Sequence, residues 1–184
     1  MRLNMKKVLL IVLAIIIVIA IVLGVVFING GKQKSNLNIS SVQDMENLIS
    51  KIYTGLDDSL PPTLNTTEVD LSNQDIVKGY SGLESNEGIK MMVVSEPMIG
   101  SQAYSLVIVQ AENSKKANEI AKEMSEKVNP AKWICVSAEK VYATSSGDIA
   151  ILVMSSEEWA NPVYENFKKE AGNVGEEYLK TVSE

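Results

Sequence analysis

The sequence predicts an α+β fold: an N-terminal transmembrane helix, then a four-stranded, mostly antiparallel sheet built as ββαββα and packed with helices. An uncharged apolar run of membrane-spanning length opens the chain. Two pairs of short apolar runs follow, each pair split by turn residues. Helical stripes alternate with those pairs, as helices covering an antiparallel sheet require.

The opening run, Val8 to Ile28, has 21 residues, all Leu, Ile, Val or Phe except Ala14, Ala20 and Gly24. At the helical rise it spans about 31 Å, close to a hydrocarbon core of roughly 30 Å. It has no polar face, unlike a soluble core helix. It exceeds the roughly 7–15 apolar residues of a cleaved leader, and Phe27-Ile28-Asn29-Gly30 is a poor cleavage site. Arg2, Lys6 and Lys7 precede it without an acid, whereas only Lys32 and Lys34 follow closely. The positive-inside rule therefore places residues 1–7 in the cytoplasm, 8–28 in the bilayer and the rest outside. Residues 29–40, polar with Gly30-Gly31, read as a flexible tether reaching about 20 Å. Residues 41–184 form the extracytoplasmic domain.

Within that domain, Ser41 to Asp44 resembles a capping box with Asp in fourth place. Val42, Met45, Leu48, Ile49, Ile52, Tyr53 and Leu56 continue as one helical stripe, and Pro61-Pro62 prevents continuation. Thr63 to Gly88 is mostly polar, with a short helix near Asn73 to Lys78. Ile89–Ser95 and Ala103–Gln110 read as antiparallel strands, punctuated by Glu96-Pro97 and Gly100. Ser114–Val128 is a helix with Ala117, Ile120, Ala121, Met124 and Val128 inward. Lys115–Glu119, Lys122–Glu126 and Glu123–Lys127 are spaced to pair on its wet face.

Val136–Ala143 alternates as a strand, and Ser145 to Asp148 is a hairpin turn. Ile149–Met154 is apolar throughout and belongs in the middle of the sheet. Asn161-Pro162 reads as a helix start, with Val163, Tyr164, Phe167 and Ala171 inward and Gly172 at the end. Gly175 to Glu184 is expected to add a helical turn. In this arrangement the helices cover one face of the sheet.

After Lys34 the chain holds 12 bases and all 23 acids, a net charge of −11. No basic stripe serves nucleic acid, and anionic lipid is disfavoured as a second contact. Solubility explains the acidity; attraction for a basic partner is the sharper reading. Cys135, the sole cysteine, rules out an intrachain disulfide. Set between Ile134 and Val136, it is expected to be a buried apolar filler.

The chain has no His, which removes Ser-His-Asp, Cys-His and His-based zinc sites. From Asp70 the nearest calcium-loop match puts Asp75 and Ser81 where Gly and Glu are required. Ser137-Ala138-Glu139-Lys140 matches S-x-x-K, but no S-D-N or K-T-G follows. On a strand, residues three apart face oppositely, so this match reads as non-catalytic. No glycine-rich nucleotide loop occurs, so neither cofactor nor nucleotide is expected.

The doublets Asp57-Asp58, Glu157-Glu158 and Glu176-Glu177 read as solvated or helix-capping acids rather than a glycosidase pair. Asn38-Ile39-Ser40 and Asn65-Thr66-Thr67 fit glycosylation sequons, relevant only in a host that uses them. Met91, Met92, Met98 and Met154 read as core packing rather than as an adaptable binding surface. Trp133 and Trp159 flank the second strand pair and are the candidate contact residues, provided they are exposed.

From about Ser50 to Met154 the chain resembles the bacterial exported family known as domain of unknown function 4358. The resemblance rests on Gly88 to Ser95, on Tyr104 to Gln110, on the charged helix, and on Gly147 to Met154 at the end of the hairpin. It implies a small exported domain behind a lipoprotein signal or anchor, with no activity and no site residues. This chain departs from it in lacking a lipobox cysteine. The expected function is a non-enzymatic envelope module that binds a protein or cell-wall component. The alternatives are a carboxylate-dependent envelope hydrolase acting on glycans and a self-assembling structural subunit.

Overall fold

The computed structural model describes residues 35–56 and 59–182. The expected span 8–28 and the Asp57-Asp58 doublet lie outside them. Among the described residues, no helix is long and apolar enough to cross a membrane. The elements run α1 (Val42–Tyr53), β1 (Leu64–Glu68), α2 (Gln74–Ser81), β2 (Ile89–Pro97), β3 (Ser105–Ala111), α3 (Ser114–Lys127), β4 (Lys140–Ser146), β5 (Ile149–Ser155), α4 (Glu157–Ala171) and β6 (Tyr178–Thr181). The six strands form one sheet in the order β1-β2-β3-β5-β4-β6, antiparallel at every junction.

The α+β class holds, but the sheet has six strands, not four. Both additions are edges. β1 buries almost nothing, so its sequence lacks an apolar period, and its ladder to β2 holds it instead. β6 replaces the helical turn expected over 175–184. The N–H of Gly175 donates to the Ser145 carbonyl at 2.7 Å, and Thr144 Oγ1 to the Glu176 carbonyl at 2.9 Å. These bonds lay the chain along the open edge of β4, where extended backbone satisfies groups that a helix would leave unpaired.

The helices cover both faces, not one. β3 and β5 are buried at every position. Successive side chains point to opposite faces, so a single helical layer would leave half of them wet. Val107, Val109, Ala150, Leu152 and Met154 pack in one core with Ala117, Ile120, Ala121 and Met124 of α3 and Val77 of α2. Leu106, Ile108, Ile149, Ile151 and Val153 pack in the other with Met45, Ile49 and Ile52 of α1 and Val163, Tyr164 and Phe167 of α4.

Local chemistry sets the helix starts. Ser41 Oγ accepts from the Asp44 N–H at 3.2 Å, and Asp44 Oδ2 accepts from the Ser40 N–H at 2.9 Å. This is the expected box displaced by one residue. Asn73 caps α2 by accepting from the Ile76 N–H at 3.3 Å. α4 starts five residues before Pro162, which therefore lies inside the helix. Glu139 Oε2 accepts the Glu157 N–H at 3.2 Å, and two acids occupy the first turn, so the earlier start is stabilised against the bond that Pro162 cannot make. Of the three pairs expected on α3, Lys115–Glu119 forms at 3.7 Å, while Glu123 accepts the Glu84 N–H at 3.3 Å.

β4 begins at Lys140 rather than Val136. Cys135 has φ 62, a left-handed conformation that turns the chain out of the extended path. Cys135 is exposed, which overturns its expected role as a core filler. Residues 35–40, the described part of the expected tether, are fastened to the domain. The Asn36 N–H donates to the Ala171 carbonyl at 3.0 Å, and Gln110 Nε2 to the Ile39 carbonyl at 2.9 Å.

Tyr104, just before β3, donates its hydroxyl to Tyr53 of α1 at 2.9 Å. Burial pushes the Tyr53 phenol up to about 12 and the Tyr104 phenol well above its ordinary value of 10. Burial, with Glu177 beside it, also raises Tyr164. Phenols held neutral in the fold but ionising near 10 when unfolded contribute stability that is fully present below pH 10 and lost as pH rises through the raised values. Urea unfolding should therefore show a stability that is flat through neutral pH and falls steeply above pH 10. A stability that stays flat from pH 10 to about 12 would contradict this assignment.

Candidate functional site

At one end of the sheet, Trp133 lines a cleft of about 390 Å³ with Ile76, Gly79, Tyr80, Glu96 and Lys132. Three segments build it. α2 supplies Ile76, Gly79 and Tyr80, the end of β2 supplies Glu96, and the irregular stretch between α3 and β4 supplies Lys132 and Trp133. Gly82 ends α2 at φ 78, where a Cβ would collide with the Val128 backbone. Only glycine permits that approach, which sets the end of α2 beside the end of α3 and so frames the cleft.

Lys132 lies at its centre. Its Nζ is 2.5 Å from Glu96 Oε1 and donates to Ser105 Oγ at 3.2 Å. The same ammonium sits 5.1 Å from the Tyr80 ring centroid and 5.3 Å from that of Trp133, within cation–π range. The lysine side chain is only 14% exposed and that of Glu96 24%. Burial lowers the Lys132 pKa, and the charge and hydrogen bond of Glu96 oppose that shift. The result is a charge-compensated pair whose ammonium lies beside two aromatic rings.

The rim is apolar. Ile76 (40% exposed), Met98 (78%), Ile99 (56%) and Ile134 (78%) are four of the five large apolar side chains that the described residues expose. Ile76 lines the cleft, Met98 and Ile99 follow β2 just beyond Glu96, and Ile134 follows Trp133. Of the four methionines read as core, Met92 and Met154 are fully buried and Met91 half-buried, but Met98 is exposed.

Trp159, the other candidate contact residue, is half-buried on α4 against the α1 and α4 core. The structure does not bring it to the Trp133 cleft. Lys132, Glu96 and Tyr80 escaped sequence reasoning because no motif joins positions so far apart. Only the size of Trp133 pointed here.

The arrangement suits binding better than catalysis. Lys132 and Ser105 have the composition of a Ser–Lys nucleophile pair. Ser105 is completely buried, however, so no substrate reaches it. Ser137 and Lys140 make no such pair either: Lys140 binds Glu157 at 3.1 Å and Thr181 Oγ1 at 3.0 Å. The S-x-x-K stretch precedes β4, with only Lys140 on the strand.

Asp44 and Glu170 share a second depression, of about 450 Å³. Hydrogen bonds from Ser40 and Ser41 hold the Asp44 pKa down, whereas a general acid needs it raised. Glu157 and Glu158 occupy the first turn of α4. Glu177 accepts from Tyr164 at 3.1 Å and pairs with Lys168 at 3.2 Å. Asp70 accepts from the N–H and hydroxyl of Ser72 in its own turn. Among the described residues no cluster of acids or cysteine could hold a metal ion.

No family model, no curated protein and no solved structure matches the chain.

The buried pair has a measurable signature. E96A strands the Lys132 ammonium and should cost about 2–4 kcal/mol, whereas the double variant E96L/K132M should cost less because no charge stays buried. Denaturant unfolding of both variants checks the order. A double variant less stable than E96A would mean that the pair is a net structural support.

Proposed function

We propose that this chain is a membrane-anchored, extracytoplasmic binding module of the bacterial cell envelope, with the Trp133 cleft as its contact site. The span 8–28 holds it in the bilayer with residues 1–7 in the cytoplasm. The resemblance to the family of unknown function belongs to this reading and adds no residue to it. One observation supports the choice of site above the others: the buried Lys132–Glu96 pair lies in a cleft walled by Tyr80, Trp133 and the exposed Ile76. A concave surface with aromatic walls and few polar groups is the usual form of a ligand site, and an apolar patch on a folded domain usually marks contact. Catalysis lacks support, since no reachable nucleophile or acid pair lines this cleft.

Cys135 provides the topology test, because it is the only cysteine and it is exposed. A membrane-impermeant maleimide should label it in intact cells, and C135S should abolish the label. Labelling only after lysis would place the domain in the cytoplasm and end this reading.

The contact site has its own test in cells. A photo-crosslinking phenylalanine placed at Ile134 should form adducts, whereas the same group at Lys169, on exposed α4 surface, should not. Adducts at Leu179 of β6 joining two copies of the chain, with none at Ile134, would favour the self-assembling subunit instead.

A further inference from the structure

We infer that β6 is an interaction edge whose partner is β6 of a second copy of this chain, paired antiparallel about a two-fold axis at Tyr178. This surface shares no residue with the Trp133 cleft. β6 ends the sheet, and among the described residues no strand covers its outer side. The Val182 N–H donates to the Glu139 carbonyl at 2.9 Å, so the even-numbered backbone groups of β6 turn toward β4. Ladder groups alternate, which leaves the N–H and C=O of Leu179 and Thr181 turned outward. The Leu179 side chain is 58% exposed, one of five large apolar side chains that the described residues leave in water.

Charge selects the partner. Tyr178 donates its hydroxyl to Glu176 at 3.1 Å, so the two side chains share a face, and alternation puts Lys180 on that face as well. Among the described residues, neither Glu176 nor Lys180 has an ion-pair partner. They stand about 13 Å apart along extended chain, too far to neutralise each other within one copy. A second β6 laid with Tyr178 opposite Tyr178 brings Glu176 opposite Lys180 twice. Leu179 and Glu177 then exchange backbone bonds, and the two Leu179 side chains become diagonal neighbours on the other face. Opposite charges and paired aromatic rings are among the cross-strand pairs that stabilise a sheet.

Other two-fold registers fail. Centred on Lys180, the pairing sets two ammonium groups against each other. Centred on Leu179, it sets Glu176 against Val182 and Tyr178 against Lys180, so no acid meets a base. A charge on an edge strand ordinarily repels other strands; here it repels only a misaligned one. A foreign strand would have to carry the same spacing of charges, which a second copy supplies by symmetry. Beside the edge, Ser125 and Glu126 of α3 line a depression of about 390 Å³ with Tyr178, Leu179 and Lys180. It leaves room on the face that carries Glu176 and Lys180, and Glu126 adds an acid there.

One short strand a side falls well below the roughly 20–30 residues a side of a standard interface, and the charge of −11 on each copy opposes approach. The pairing therefore rests on the anchor of the proposed reading, which concentrates copies in one bilayer.

The full chain carrying C135S is tested in phosphatidylcholine vesicles at physiological salt. On mild oxidation, Y178C should form a disulfide-linked dimer, because residues opposite each other in a non-hydrogen-bonded pair have Cα atoms about 4.5 Å apart. K180C should cross-link about tenfold more slowly, since its two copies lie about 13 Å apart in this register. A second readout keeps Tyr178. A photo-crosslinking phenylalanine at Leu179 should join two copies. K180E or E176K, each of which opposes like charges, should lower that yield about tenfold, and E176K/K180E should restore it, with circular dichroism unchanged throughout.

Equal rates for Y178C and K180C would mean random collision. A double reversal as weak as the single ones would mean that charge does not set the register. Leu179 adducts to a different protein would give the edge to another strand. Each of these overturns the inference and leaves the Trp133 contact site standing. A chain that fails to float with the vesicles removes the anchor and this dimer together.

Discussion

The constraint on which the rest of the structure depends is the double-sided burial of β3 and β5. Leu106, Ile108, Ile149, Ile151 and Val153 alone would forgo roughly 8–15 kcal/mol if their face of the sheet were wet. That rivals the whole stability of a domain, about 5–15 kcal/mol. A helical layer on each side follows, and so does the need for two strands outside each central one. The sheet then has a definite end where β2 leaves and β3 enters. There the irregular stretch after α3 crosses close to α2, with Gly82 allowing the approach. The cleft is a consequence of closing that end.

The Lys132–Glu96 pair is difficult to justify as a stabiliser. Removing two charges from water costs several kcal/mol per ion before their attraction repays it, and an apolar pair of similar volume often does as well or better. The other ion pairs are mostly exposed surface contacts worth little, such as Lys115–Glu119 and Lys78–Glu84. This one is largely buried and short, and its ammonium lies within cation–π range of two rings. A site that retains a buried charge pair where hydrophobes would serve the fold is better explained by what it meets than by what it holds together.

What could be read from the sequence follows from how each feature is encoded. α1 and α3 have continuous apolar stripes, so their starts and most inward residues were legible, and the end of α3 to one residue, although the stripe read for α1 runs to Leu56, three residues past its end at Tyr53. β2, β3 and β5 were legible as apolar runs, and β5 correctly as central. The edges were not, because Leu64–Glu68 and Tyr178–Thr181 are held by backbone pairing that leaves no apolar period. Asn161-Pro162 misled because proline is tolerated inside α4 once Glu139 and the first-turn acids stabilise an earlier start. Cys135 misled for the reverse reason: flanking apolar residues suggested a strand, but Ile134 beside it is itself exposed and φ at Cys135 is left-handed. Of the site, Trp133 was visible by size alone. Glu96, Tyr80 and Lys132 meet only because three separate elements end at the same place.

The same geometry separates the cleft from the point where the described chain enters the domain. Ser35 accepts from Ser146 at 2.9 Å beside the β4–β5 turn, and Asn36 is bonded to the end of α4. Ser105 and Glu96 mark the opposite ends of their strands. About seven residues of β5 lie between, roughly 20 Å of extended chain. Occupation of the cleft therefore does not compete with the docking of residues 35–40. In the proposed reading, a load between the anchor and a bound ligand enters at Ser35 and leaves near Trp133, running along the strands. The antiparallel bonds of β3 with β2 and β5 lie perpendicular to that direction and bear it together rather than one after another. On that reading, the central strands that dictate the two-sided core are also the elements placed to resist tension between anchor and ligand.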